Sequence, residues 1–369
     1  MYTSDSEIVQ LTVTQACQQI IKAYSAVING KLPIKTIPSI MLWGPPGIGK
    51  SQGVIQIAEG LEKQTGKRVE VTDVRLLLFN PVDLRGIPTV NEDRTLAVWL
   101  KPKIFQMDES ENCINILFLD ELSAAPPSVQ ASAYQITLDR TVGEHKLPDN
   151  CIVIAAGNRV TDKSVAYNMP KALANRLCHI EIICDINSWR DWALKKGLNH
   201  MVIGYLTANP SLLMDFDTES NSMAFPTPRT WEMVSNLINS VSDNPYEIFS
   251  LIAGCIGMDM AAEFCQWCEL YGKMPTIEMI LTGKAKTVPA RPEVLFAIVK
   301  DLVGVADKLE NKDELLNLIS YSDLLPTEFK YRCFSNLLKN DKLHKYLKMS
   351  PQFCEWFEET DHYWEDYDL

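Results

Sequence analysis

The chain has 369 residues, 46% of them hydrophobic and 22% charged, the make-up of an ordinary folded protein at a length suited to two domains and a third small unit. No run approaches about 18 uninterrupted apolar residues, so no membrane-spanning helix is expected. The formal net charge of −12 speaks against a surface built to hold nucleic acid, though not against a local basic patch.

The opening Met1–Glu7 lacks a basic region followed by an apolar one and does not read as a secretory signal. Residues 12 to 30 form a first helix, with Val13, Ala16, Cys17, Ile20, Ile21, Tyr24 and Val27 at helical spacing and Gly30 and Pro33 ending it. Ser39–Trp43 is apolar enough for a buried strand. Gln52–Lys63 can be a helix with Val54, Ile55, Ile57, Ala58 and Leu61 inward. Between them, Gly44, Pro45, Pro46, Gly47, Ile48, Gly49, Lys50 and Ser51 fill every fixed position of G-x-x-x-x-G-K-[ST]. Glycines let backbone N–H groups close around phosphate oxygens, and the helix N-terminus adds partial positive charge. Lys50 can reach the β- and γ-phosphates, and the Ser51 hydroxyl can take a magnesium site.

A short strand follows around Val69–Val71. From Val82 to Leu100, two β-prone runs flank the turn Asn91–Arg94 and read as an inserted hairpin. Ile116–Leu119 is an apolar run that ends in Asp120 and Glu121, about 70 residues after the phosphate loop. Such a run suits a strand covered on both faces, with its acids emerging at the end where open α/β sheets bind ligands. Asp120 would hold magnesium, directly or through water, and Glu121 would orient and deprotonate the attacking water. Ser128–Leu138 makes a helix, Arg140–Leu147 a second hairpin, and Cys151–Ala156 a buried strand ending at Gly157, Asn158 and Arg159. Ile180–Ile183 is the last strand.

From about Asp185 the chain reads helical, with starts near Ser188, Asn199, Thr227, Pro245, Met258 and Thr276. Lys284–Arg291 looks like a boundary, and residues 293 to 357 form further short amphipathic helices. The expected domains are an α/β nucleotide-binding core over 1–185, a helical lid over 186–285 and a helical extension over 286–369. The ten cysteines lie in apolar segments such as Cys151–Ile154 and Cys178–Ile180, which suits reduced core thiols in the cytoplasm. Cys265 and Cys268 are expected to face a helical core rather than a metal or a redox partner. The last fifteen residues, from Glu355, carry seven acids and several aromatics, and read either as a frayed solvated tail or as a docking segment.

With these signatures in order, the chain resembles an AAA+ ATPase, and over roughly residues 10 to 285 a MoxR-type one. Ala155–Asn158 resembles the sensor-1 segment. Phe225–Trp231, with Arg229, resembles the sensor-2 start of a lid helix. Met169–Leu177, with Arg176, resembles the segment that supplies an arginine finger. The two inserted hairpins mark the clade that includes MoxR proteins. The resemblance implies an α/β fold with a parallel sheet and inserted hairpins, a helical lid, ATP as ligand and Mg2+ as its ion. It assigns nucleotide contacts to Gly44–Ser51 and Gln52, and the metal to Ser51 and Asp120. Glu121, Asn158, Arg176 and Arg229 become the catalytic set, with Arg176 pointing into the next subunit's site. Arg159 stands where many MoxR proteins carry proline, and is a rival for the trans-acting role. The hairpin tips, Asn91–Arg94 and Gly143–Lys146, would face a central pore. The implied activity is an ATP-driven ring, expected to be a hexamer, that remodels or activates a partner protein, often with a von Willebrand factor A-domain protein. The alternatives are a nucleic-acid motor or loader, which the acidic balance disfavours, and an ATP-gated scaffold with little turnover.

Overall fold

Runs such as Ile116–Leu119 and Cys151–Ala156, apolar at every position, need cover on both faces, and they find it at the centre of a parallel sheet. The computed structural model describes residues 8–360 apart from 160, 161, 163–166, 168, 170, 217–221, 243, 273, 274, 276, 290, 291, 307, 308 and 310. The chain divides into two units, the first taking in the residues up to Leu206 with Pro210–Ser242 and Ser250–Met258, the second Thr207–Asn209, Asp243–Phe249 and the residues from Asp259 on.

In and around the first unit the elements run β1 (Val9–Thr12), α1 (Val13–Asn29), β2 (Ile40–Trp43), α2 (Lys50–Thr65), β3 (Arg68–Arg75), α3 (Pro81–Arg85), β4 (Pro88–Val90), β5 (Ala97–Trp99), β6 (Cys113–Asp120), α4 (Pro127–Asp139), β7 (Thr141–Val142), β8 (His145–Lys146), β9 (Cys151–Gly157), α5 (Lys171–Ala174), β10 (Cys178–Ile183), α6 (Ile186–Lys196), α7 (His200–Ala208), α8 (Pro228–Ser240) and α9 (Phe249–Ile256). Six strands form one parallel sheet in the order β1-β10-β2-β9-β6-β3. One face packs Leu42, Ile116 and Ile154 against Ile20 and Tyr24 of α1 and Ile57 and Leu61 of α2. The other packs Met41, Leu117, Leu119 and Val153 against Val129 and Ala133 of α4. The hairpins β4–β5 and β7–β8 stand apart from the sheet as antiparallel pairs. This is the expected α/β phosphate-loop fold with two inserted hairpins and many helices after it.

The second unit is helical: α10 (Met258–Gly272), α11 (Ile277–Leu281), α12 (Pro292–Ala306), α13 (Lys312–Asp323), α14 (Thr327–Leu338), α15 (Asp341–Leu347) and α16 (Pro351–Thr360). Its core gathers Leu302, Leu318, Phe329, Phe334, Leu338 and Phe353. No helix among the described residues is long and apolar enough to cross a membrane.

The structure departs from the sequence reading in several places. Val9–Thr12 is an edge strand paired with β10, so the first helix begins one residue later, capped by Thr12, whose hydroxyl accepts from the Gln15 N–H at 3.2 Å. The strand near Val69 spans eight residues, and its exposed edge explains why its polar positions hid it. Asn80 and Pro81 start a short helix, α3, ahead of the first hairpin. Cys178 is exposed, not a core thiol, whereas Cys265 and Cys268 are buried as expected. The tail is not frayed at its start: α16 runs to Thr360, and buried Trp356 packs on Phe334 and Phe353. Met1–Glu7, Pro170, Arg291 and the tail beyond Thr360 lie outside the described residues.

Candidate functional site

The loop from β2 to α2 needs backbone that a side chain resists. Gly47 lies at φ +80°, and a Cβ there would meet Thr227 Oγ1 at 2.8 Å. Gly49, at φ +105°, caps α2 in the left-handed region. Lys50 therefore enters as the first helical residue. Its Nζ donates to Gly44 O at 2.6 Å, Pro45 O at 3.1 Å and Asn158 Oδ1 at 2.9 Å. It is held over the loop by groups that a phosphate would replace or join.

Ser51 Oγ donates to Asp120 Oδ2 at 3.0 Å, and Asp120 Oδ1 accepts the Glu121 N–H at 2.9 Å. Glu121 sits at φ +58°, a left-handed conformation that costs a side-chain-bearing residue on the order of 1–3 kcal/mol. Glu121 lines the cavity, and its carbonyl is satisfied by the N–H groups of Ala124 and Ala125 at 3.0 and 3.1 Å. Ser123 grips the neighbouring strand end twice: its Oγ accepts from Asn158 N–H and donates to Asn158 O, each at 2.9 Å. A Cβ at Gly157 would meet Ser123 Oγ at 2.7 Å, so glycine lets β6 and β9 close together there.

These groups open on one cavity of about 390 Å³ that lies within the first unit. Arg229 also lines it, near the start of α8, and its N–H donates to Gly47 O at 3.3 Å. Sequence reasoning missed other walls. Val13 and Thr14 come from the start of α1, Asp73 and Arg75 from β3, and Trp189 and Trp192 from α6. Arg75 stands in register with Asp120 across the β3–β6 pairing, which the acidic signature alone does not announce. The tryptophans, three apart on a helix, were the available signal.

Ser51 and Asp120 offer two converging hard oxygen donors, the kind magnesium prefers alongside phosphate oxygens and water. Among the described residues no cluster of three or more His, Cys, Asp or Glu side chains could hold a metal without such help. The Ser51–Asp120 pair fits Mg2+ that arrives with a polyphosphate supplying further oxygens.

Burial pushes the Lys50 ammonium down to about 8, against the attraction of Asp120 and Asp162 and with added repulsion from Arg229 and Arg159. A polyphosphate beside it favours the charged form, so its value rises on binding. The sign follows: below about pH 8 Lys50 is already charged, and affinity is flat; above it, binding must take up a proton, and affinity falls by at most about tenfold per pH unit. Calorimetry of MgATP binding at pH ~8.5, in buffers of different ionisation enthalpy, is expected to show proton uptake. Identical apparent enthalpies in all buffers would contradict it.

The two remaining arginines behave differently. Arg159 is committed to its own chain: Nε and Nη2 donate to Asp162 Oδ1 at 3.1 and 2.8 Å, and Nη1 pairs with buried Glu181. Arg176 is exposed in the turn between α5 and β10, where it lines a separate cleft of about 530 Å³ with Lys35, Ser39, Asp139 and Arg140. Ser39 precedes β2 and Arg176 precedes β10, whereas the phosphate loop follows β2. Arg176 thus lies at the opposite end of the sheet from Lys50.

The family model described as "ATPase family associated with various cellular activities (AAA)" matches residues 39–179. No curated protein matches the chain. Among solved structures, a point mutant of RuvB from Thermotoga maritima is 13% identical, with 79% of this chain and 76% of that chain covered and a TM-score of 0.36. NtrX from Brucella abortus, in complex with ADP, is 14% identical over 94% and 70% of the two chains, with a TM-score of 0.36. The Orc1 protein of Aeropyrum pernix, in complex with DNA, is 12% identical over 90% and 84%, with a TM-score of 0.39.

Proposed function

We propose that this chain is an ATPase of the AAA family and an ATP-hydrolysing motor of the MoxR type, a ring of identical subunits, expected to be a hexamer, that remodels or activates a partner protein. Gly44 to Gln52 cradle the phosphates, and Lys50 neutralises the β- and γ-groups. Ser51 and Asp120 would hold Mg2+, which would supply positive charge to offset that of the phosphates. Glu121 orients the attacking water and takes its proton. Asn158 hydrogen-bonds the γ-phosphate or that water, and Arg229 lets α8 respond to the phosphate. The hairpin tips at Asn91–Arg94 and Gly143–Lys146 face the pore and the client, and a von Willebrand factor A-domain protein is the proposed partner.

The observation that supports a shared site is the distribution of cations. Arg176 is exposed and makes no ion pair among the described residues, at the end of the sheet away from Lys50. It can serve a γ-phosphate only in a neighbouring copy. Light scattering is therefore expected to report larger particles with ATP and magnesium than without. A strict monomer with full ATPase activity at every concentration would rule the shared site out.

A further inference from the structure

β10 does more than join β1 to β2 in the sheet. On the face shared with Met41 and Trp43 it carries His179 and, two residues on, Glu181. Trp43 Nε1–H donates to His179 Nδ1 at 2.8 Å, with the rings near-parallel at 18°. Because Nδ1 accepts, the ring proton belongs on Nε2, which donates to Ala174 O at 2.7 Å. The same carbonyl accepts the Leu177 N–H at 3.2 Å, closing the turn that displays Arg176. At the other end of the chain of bonds, Trp43 is the last residue of β2, directly before Gly44, whose carbonyl holds Lys50 Nζ.

We propose that His179 is a positioning residue for Arg176: its imidazole staples the Arg176 turn to the strand end that opens the phosphate loop. The inference rests on the reading of Arg176 as trans-acting. Its physical content is directional. An imidazole with one nitrogen accepting and the other donating fixes both the ring and the Ala174 carbonyl, and so fixes where the guanidinium is offered to a neighbour. A loosened turn misplaces that cation by an ångström or so, which in oriented reactions costs about 10²-fold in rate.

The test is a mixing experiment on the full chain. His179→Phe is expected to keep the KM for ATP and lose up to about 10²-fold in kcat. Mixed with Glu121→Gln subunits, it is expected to recover activity, because its own base remains intact and its neighbour lends a well-placed finger. His179→Gln, whose amide can accept from Trp43 and donate to Ala174, is expected to restore most of kcat. Arg176→Ala mixed with Glu121→Gln is the control. Recovery in the control without recovery for His179→Phe would overturn the inference alone, since the defect would then lie in the chain's own phosphate loop. No recovery in either would overturn the trans-acting reading and this inference with it. If His179→Phe does not fold, Trp43→Phe, which keeps an aromatic ring and removes the N–H donor along with part of the indole, carries the same test.

Discussion

Arg176→Ala is expected to bind ATP with unchanged affinity and to lose about 10³–10⁵ in turnover, the contribution of arginine fingers in related phosphoryl transfers. The residue stands exposed before β10, remote from its own phosphate loop, so its removal leaves the 390 Å³ cavity intact. Mixing with Glu121→Gln subunits should return part of the rate, since some interfaces then join an intact base to an intact finger. Arg159 is the competitor to watch. To reach across it must leave Asp162 and Glu181, both buried carboxylates, and the cost of stranding them opposes that move. An Arg176→Ala protein with nearly full turnover, alongside an Arg159→Ala protein that shows the mixing behaviour, would reverse the assignment.

Glu121→Gln and Lys50→Ala should separate binding from chemistry. Glu121→Gln keeps the left-handed backbone turn and the Asp120 contact, which uses its main-chain N–H, so ATP still binds. Turnover falls by about 10²–10⁴, the usual worth of a positioned general base. Lys50→Ala removes the cation that Gly44 O, Pro45 O and Asn158 Oδ1 hold over the loop, and tight binding is lost with it. Radioligand binding and phosphate release measure the two effects independently. Equal loss of binding in both variants would remove Glu121 from its role.

Local signals carried much of this architecture. The phosphate loop, the Asp-Glu strand and both hairpin turns are written in contiguous residues, and contiguous residues suffice when glycine conformation and apolar runs decide the outcome. What escaped was set by distant partners. Val9–Thr12 is too short to declare itself, and becomes a strand only because β10 lies beside it. Asp73 and Arg75 look like ordinary solvated positions of an edge strand until β6 aligns Arg75 with Asp120. Glu181 is a readable sign within the strand: a carboxylate inside Ile180–Ile183 demands a cation, and Arg159 supplies it.

Glu181 shares its oxygens between two sides of the fold, Oε1 toward Arg159 and Oε2 toward the Gln10 side chain at 3.1 Å. A fragment trimmed to start at Val13, where the helical pattern begins, would keep every signature residue. It would also shed β1, deprive a buried carboxylate oxygen of its donor, and leave the backbone edge of β10 open to other chains. Such a fragment would be prone to edge-to-edge clumping before it lost a single phosphate contact, and any shortened version of this protein should retain residues from Val9 onward.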